Sequence, residues 1–436
     1  MSTALALVLL VVGSYLAAHV AFEWIGRRLL IVSGAEYLML GILLGPQVSG
    51  VVSPQLIGSF APVTALALGW MGAIIGSRFY LRRLIRVPGA MYNIAFAESL
   101  ITLWIVFGLE FFLLRWLFGL PSQRVIGAAL ALGAFAVASA DAGIELAVRR
   151  HGGHGPVAVQ LRTSAGVNAF VAICVFGILL ASSQPDVVAV GSRPLTPTEW
   201  AVISIAIGVA GGALFHLFLG GERRVDRLVI SLGGVIILVS GAATYLRLSP
   251  LLSAMFFGLI LVNTSRQREE IAAVLARVER PLYFVLLIFA GAIWRPSAQG
   301  AWTLPVLLFL VMRGVAKVGG ARLASRMNDL LPALGPRWGR ALLGQGGLVV
   351  ALALNYLYQD ALALPNVVFT AAVVSVLLTD LASGRLASAV LAPVTPDRLP
   401  RPSRATAPGH ESEPSAASGS AGEATAGAGG AGRGER

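Results

Sequence analysis

The chain is 436 residues long, 56% hydrophobic and 12% charged, with a mean hydropathy of +0.80. Charged residues make up about 25% of an ordinary soluble domain, so this composition excludes a soluble globular protein. The net charge of +12 is carried by arginines spread over short loops without interleaved aromatics, which excludes a nucleic-acid partner.

The hydrophobic residues fall in blocks of roughly twenty, the length that crosses a bilayer as a helix. In chain order the blocks predict thirteen transmembrane spans, at about 3–22, 29–46, 56–77, 89–114, 125–148, 159–182, 198–219, 228–245, 248–264, 281–295, 302–321, 340–358 and 365–391. The second, ninth and tenth are short. The first lacks a basic leader and a clear small-residue cleavage site, and is expected to be retained. Cys174, the one cysteine, excludes an intrachain disulfide.

The arginines test the count. Loops after odd-numbered spans hold nineteen of them, from Arg27 and Arg28 to Arg337 and Arg340; loops after even-numbered spans hold five, Arg115, Arg124, Arg193, Arg247 and Arg295. Positive charge favours the cytoplasmic side. The expected placement is therefore multi-pass in a bacterial-type cytoplasmic (inner) membrane, with membrane lipid as surroundings, the N-terminus outside and the C-terminus inside. Residues 1–391 form the transmembrane domain. Residues 392–436 are rich in Pro, Ser, Ala, Gly and Glu, lack core-forming side chains, and are expected to be a disordered cytoplasmic tail. Thirteen spans also divide as six, one and six, which permits two inverted six-helix repeats with the site at the midplane on interrupted helices.

Ionisable residues inside spans mark candidate function. The acids are Glu36, Glu98, Glu110, Asp141, Glu145 and Asp380. Counted as continuous helix, Asp141 lies about sixteen residues into the fifth span and Lys317 about fifteen into the eleventh, at nearly equal depth. Asn168, in the sixth, is comparably deep. Of 33 basic residues Lys317 alone is lysine, and it sits in the apolar run VLLFLVMRGVAKVGGARLA. A buried lysine can release a proton where an arginine cannot. Lys317, Asp141 and Asn168 are thus the candidate ion- and proton-binding set. Ser139 in AVASADAGIE and Gln345 in LLGQGGLVV lie where small residues and glycines permit the helices to unwind; Arg313, one turn from Lys317, and Glu98 in NIAFAESLI complete the supporting groups. Glu145 is expected to pair with Arg149. Asp380 is divided between pairing at the inner end and a structural role. The five histidines form no nucleophile–base constellation, HGGHG offers too few ligands for a metal, and neither an enzyme nor a cofactor is expected.

SGAEYLMLGILLGP, ERPLYFVLLIFAGA, VMRGVAKVGGARLASR, GRALLGQGGLVVALAL and SVLLTDLASG, in this order and spacing, resemble the monovalent cation:proton antiporter superfamily, the sodium/proton exchanger-like proteins, over about residues 5–391. The resemblance implies inverted repeats whose fifth and twelfth spans cross where both are broken, a homodimer, and a core bundle moving against a dimerisation bundle. Asp141 falls where relatives carry Thr-Asp-Pro, Asn168 at the first position of an Asn-Asp or Asp-Asp pair, and Lys317 and Arg313 where a basic residue pairs with a site acid. The sequence departs at Ala169, where the ion-binding aspartate is expected, and at Ala142 and Ser164. Two readings follow: exchange of Na⁺ or K⁺ for protons with Asp141 as the acid opposite Lys317, or an antiporter fold that has lost exchange and serves as sensor, scaffold or carrier of another solute.

Overall fold

The computed structural model describes residues 34–53, 59–151, 153, 155–184, 189–190, 193–219, 225–296, 300, 302–359 and 362–392. The first predicted span and the tail beyond Ala392 lie outside these residues. The long helices are α1 (Ala35–Leu44), α2 (Ala61–Ser77), α3 (Gly89–Phe118), α4 (Ser122–Val137), α5 (Asp141–Arg150), α6 (Pro156–Ser182), α7 (Pro197–Leu219), α8 (Val225–Tyr245), α9 (Pro250–Thr264), α10 (Arg268–Ile293), α11 (Thr303–Met327), α12 (Gly347–Leu357) and α13 (Pro365–Leu391). Single helical turns at Leu81–Leu84 and Leu331–Leu334, a 3₁₀ turn at Trp338–Leu342 and a two-residue antiparallel pairing of Ala189–Val190 with Arg193–Pro194 complete the described structure.

Each predicted span from the second to the thirteenth has a helical counterpart, and among the described residues seven helical segments are long and apolar enough to cross a membrane unaided. The chain is a multi-pass membrane protein. Its outer faces carry large apolar side chains: Phe112, Trp116, Leu217 and Ile230 are 70–77% exposed. Proline opens α6, α7, α9 and α13, where the missing N–H has no helical partner to lose. The tenth span differs most from expectation. It was bounded at Pro281, yet α10 begins thirteen residues earlier, at Arg268, and runs through the proline. Glu269 and Glu270 favour that N-terminal start, and one interior proline kinks a long packed helix without ending it.

The helices sort into two bundles. One consists of α3, α4, α5, α6, α11, α12 and α13 with the 3₁₀ turn; the other of α1, α2, α7, α8, α9 and α10, with its own apolar core around Trp70, Phe215, Leu232, Val239 and Phe257. Two close crossings hold the second bundle. Built on Gly76, a Cβ would lie 1.9 Å from the Met255 carbonyl oxygen, and on Gly258 2.1 Å from that of Ala73, so α2 and α9 touch backbone to backbone. Gly41 and Gly291 do the same for α1 and α10, at 2.0 Å from the Ile288 oxygen and 2.1 Å from that of Leu38.

Candidate functional site

The fifth span is broken. α4 ends at Val137, the chain runs extended through Ala138 (φ −58°, ψ 140°) and Ala140 (φ −71°, ψ 100°), and α5 starts at Asp141. The twelfth is broken in the same way, between the 3₁₀ turn and α12, with Gly346 at φ 66°, ψ −177°, a conformation open essentially to glycine alone. The two breaks meet: the Ala140 N–H donates to the Gly344 carbonyl at 2.7 Å, Ser139 Oγ to that of Leu342 at 3.1 Å, and Gln345 Nε2 to that of Phe135 at 3.1 Å.

Broken helices expose unpaired carbonyls and N–H groups inside the membrane, and charged side chains satisfy them here. Arg313, 1% exposed, donates to the carbonyls of Leu343 (2.5 Å), Ala138 (3.1 Å) and Gly344 (3.5 Å), tying both breaks to α11. Lys317 Nζ donates to the Val137 carbonyl at 2.6 Å, the last residue of α4. At the opposite pole, Asp380 Oδ1 accepts the N–H groups of Gln345 (2.9 Å) and Gly346 (3.0 Å) at the start of α12, and Ser375 Oγ bonds Gln345 Oε1. Asp380 thus has a definite place as the N-terminal cap of the broken helix.

Lys317 pairs with Glu98, not with Asp141. Nζ and Oε1 are 3.0 Å apart and both side chains are fully buried. Thr102 Oγ1 donates to the same Oε1 at 3.1 Å, while Oε2 is buried without a hydrogen-bond partner. Ser99, beside Glu98, donates to Asn168 Oδ1 at 2.5 Å, and Asn168 Nδ2 donates to Ser139 Oγ at 3.0 Å. Glu98, Ser99, Thr102, Asn168 and Lys317 are each 0% exposed. Ala169 follows Asn168 and brings no carboxylate. Asp141 stands apart: its carboxylate is bonded by Arg78 at the end of α2, with side chains 36% and 43% exposed. Equal depth with Lys317 was counted on a continuous helix. Residues 138–140 are extended instead, advancing the chain ~10 Å where helix would give ~4.5 Å, which carries Asp141 past the lysine. The residue that reaches the lysine's level is Val137, through its backbone.

The structure therefore gathers Asn168, Lys317, Glu98, Ser139, Arg313 and Gln345 around the two breaks and leaves Asp141 at their rim. Sequence reading missed Ser99, Thr102 and Ser375, which carried no signal beyond being hydroxyls in spans. Glu145 pairs with Arg149 (2.8 Å) as expected, and also with Arg162 (2.8 Å).

No protein-family model matches the chain, and no curated protein matches it significantly. Solved structures do. The sodium proton antiporter MjNhaP1 of Methanocaldococcus jannaschii at pH 8 aligns with a TM-score of 0.62 and 16% identity, over 89% of this chain and 98% of that one. An electron-microscopy structure of the same antiporter aligns with a TM-score of 0.60 and 17% identity, over 92% and 98%. The chain has the fold of a cation:proton antiporter.

Proposed function

We propose that this chain is a secondary transporter, not an enzyme, that exchanges a monovalent cation, Na⁺ or K⁺, for protons by alternating access in the inner membrane. The observation that carries the reading is the fully buried Glu98–Lys317 pair at the crossing of two broken helices. A static buried pair is a poor source of stability, and a lysine is the cation that can leave it by losing a proton. With the site empty, Lys317 holds Glu98. An arriving cation takes the carboxylate, using the unpartnered Glu98 Oε2 and the oxygens of Thr102, Asn168 and Ser139, and Lys317 releases its proton to water. Reloading Lys317 with a proton expels the cation on the other side. One carboxylate and one proton carrier support one-for-one exchange.

The same reading includes thirteen spans in inverted repeats, a homodimer, the N-terminus outside and the C-terminus cytoplasmic. The paired glycine crossings support the repeats: α1 with α10 and α9 with α2 are the contacts that a six-one-six inversion exchanges. The topology is supported by the gathering of Arg78, Arg149, Arg162 and Arg268 at one end of the helices, the last over the Tyr80 ring at 4.5 Å. Ala169 favours the second reading, a fold retained without exchange. Everted vesicles carrying a preformed pH gradient separate the two. Dequenching of a pH-sensitive dye by Na⁺ or K⁺, absent in vesicles without the protein, supports exchange. A flat response to Na⁺, K⁺ and Li⁺ with intact protein in the membrane favours the second.

A further inference from the structure

Asp141 and Arg78 belong to different bundles. Asp141 begins α5, directly after the break; Arg78 caps the C-terminal end of α2. Their contact is the ion pair, among those of the described residues, that joins the two bundles. Asp141 also lies in the first turn of α5, which presents unpaired N–H groups and the positive end of the helix. The carboxylate there is partly open to water, and Arg78 meets it from the neighbouring bundle.

Arg78 has a second acceptor. Glu279, on α10 in Arg78's own bundle, lies 3.6 Å from Nη2. A guanidinium carries five donors in a planar fork and can address two carboxylates in turn. If Asp141 is taken by another cation, Arg78 keeps a partner without leaving its bundle. Glu145 adds negative charge near Arg78, but its oxygens are already bonded by Arg149 and Arg162.

We propose that Arg78 is a resident stand-in for the transported cation at Asp141, an interbundle latch that the cation displaces on its way to Glu98, handing the guanidinium to Glu279 as the bundles separate. The cargo it names rests on the exchange reading above; the competition between Arg78 and a free cation does not need turnover. Arg78 acts as a positioning residue, since it touches Asp141 rather than the cargo.

The test uses full-length purified protein, titrated calorimetrically with NaCl and KCl at constant ionic strength in choline chloride, and the same variants in proteoliposomes. Arg78→Gln frees Asp141 and should tighten cation binding about two- to fivefold, the scale of a water-accessible ion pair. Glu279→Gln strands Arg78 on Asp141 and should weaken binding by a similar factor. In an Asp141→Asn background the Arg78→Gln shift should vanish. Opposite shifts of this kind, with melting temperatures unchanged, support the latch. Shifts in the same direction, no shift, or an Arg78→Gln effect that survives Asp141→Asn overturn it. Opposite binding shifts without cation-driven proton release in proteoliposomes support the latch and overturn the exchange reading. A wild-type protein that binds neither cation overturns the latch.

Discussion

At the scale of single residues, one lysine and one glutamate, Lys317 and Glu98, are buried together. Two buried cations, Lys317 and Arg313, lie with two buried acids, Glu98 and Asp380, at the crossing. Arg313 holds carbonyls of both breaks, and in the proposed cycle Lys317 is the cation whose charge comes and goes. Lys317→Arg should therefore keep the fold and cut pH-driven cation uptake about tenfold or more, equivalent to ~1.4 kcal/mol or more on the transport barrier; uptake in proteoliposomes, with melting temperature as the control, checks it. Lys317→Met should behave differently. It leaves Glu98 buried without its counter-ion and should lower stability by about 3 kcal/mol or more, read as a fall in thermal unfolding temperature. Sequence alone pointed to Lys317, Asn168 and Asp141 as the ion- and proton-binding set with Arg313, Ser139, Gln345 and Glu98 around them, because polar groups in a span must find partners. It chose the wrong acid for the lysine, since depth was measured along a helix that the structure interrupts.

At the scale of elements, two devices set the geometry. The breaks are built from short side chains and glycines, AVASADAGIE and LLGQGGLVV, and were legible for that reason. What could not be read was the capping: Asp380 is 34 and 35 residues from the N–H groups it accepts, and only folding brings them together. Asp380→Ala should leave two buried N–H groups unpaired at the start of α12 and cost about 2–4 kcal/mol, measured by thermal unfolding in detergent. The second device is the glycine crossing. Gly258→Leu has no room against the Ala73 backbone and should lower stability by about 1–3 kcal/mol or separate α2 from α9, whereas Gly233→Leu on α8, with open space at its Cβ, should be tolerated. Protease resistance of the two variants in parallel distinguishes them. The expected tenth span starts at Pro281, and the helix that carries it starts earlier, at Arg268, because packing against α1 and α2 carries the helix through the proline.

At the scale of the whole molecule, composition carried the all-helical, multi-pass architecture, because a bilayer imposes length and apolarity on every span. The grouping into two bundles was not written in any local pattern and came into view only with packing. A fluorescent protein fused after Arg436 should fold and fluoresce on the cytoplasmic side, and chemical cross-linking in membranes should yield a dimer; an exported terminus or a monomer would contradict the orientation or the assembly.

In the proposed cycle Glu98 is the acid that exchanges Lys317's proton for a cation. The direct measurement is pH-gradient-driven uptake of radioactive Na⁺ and K⁺ into proteoliposomes by wild type, Glu98→Gln and Asp141→Asn, each verified as folded. The account predicts uptake abolished in Glu98→Gln and reduced but present in Asp141→Asn. Uptake preserved in Glu98→Gln and abolished in Asp141→Asn would contradict it and return the exchanging acid to the start of α5.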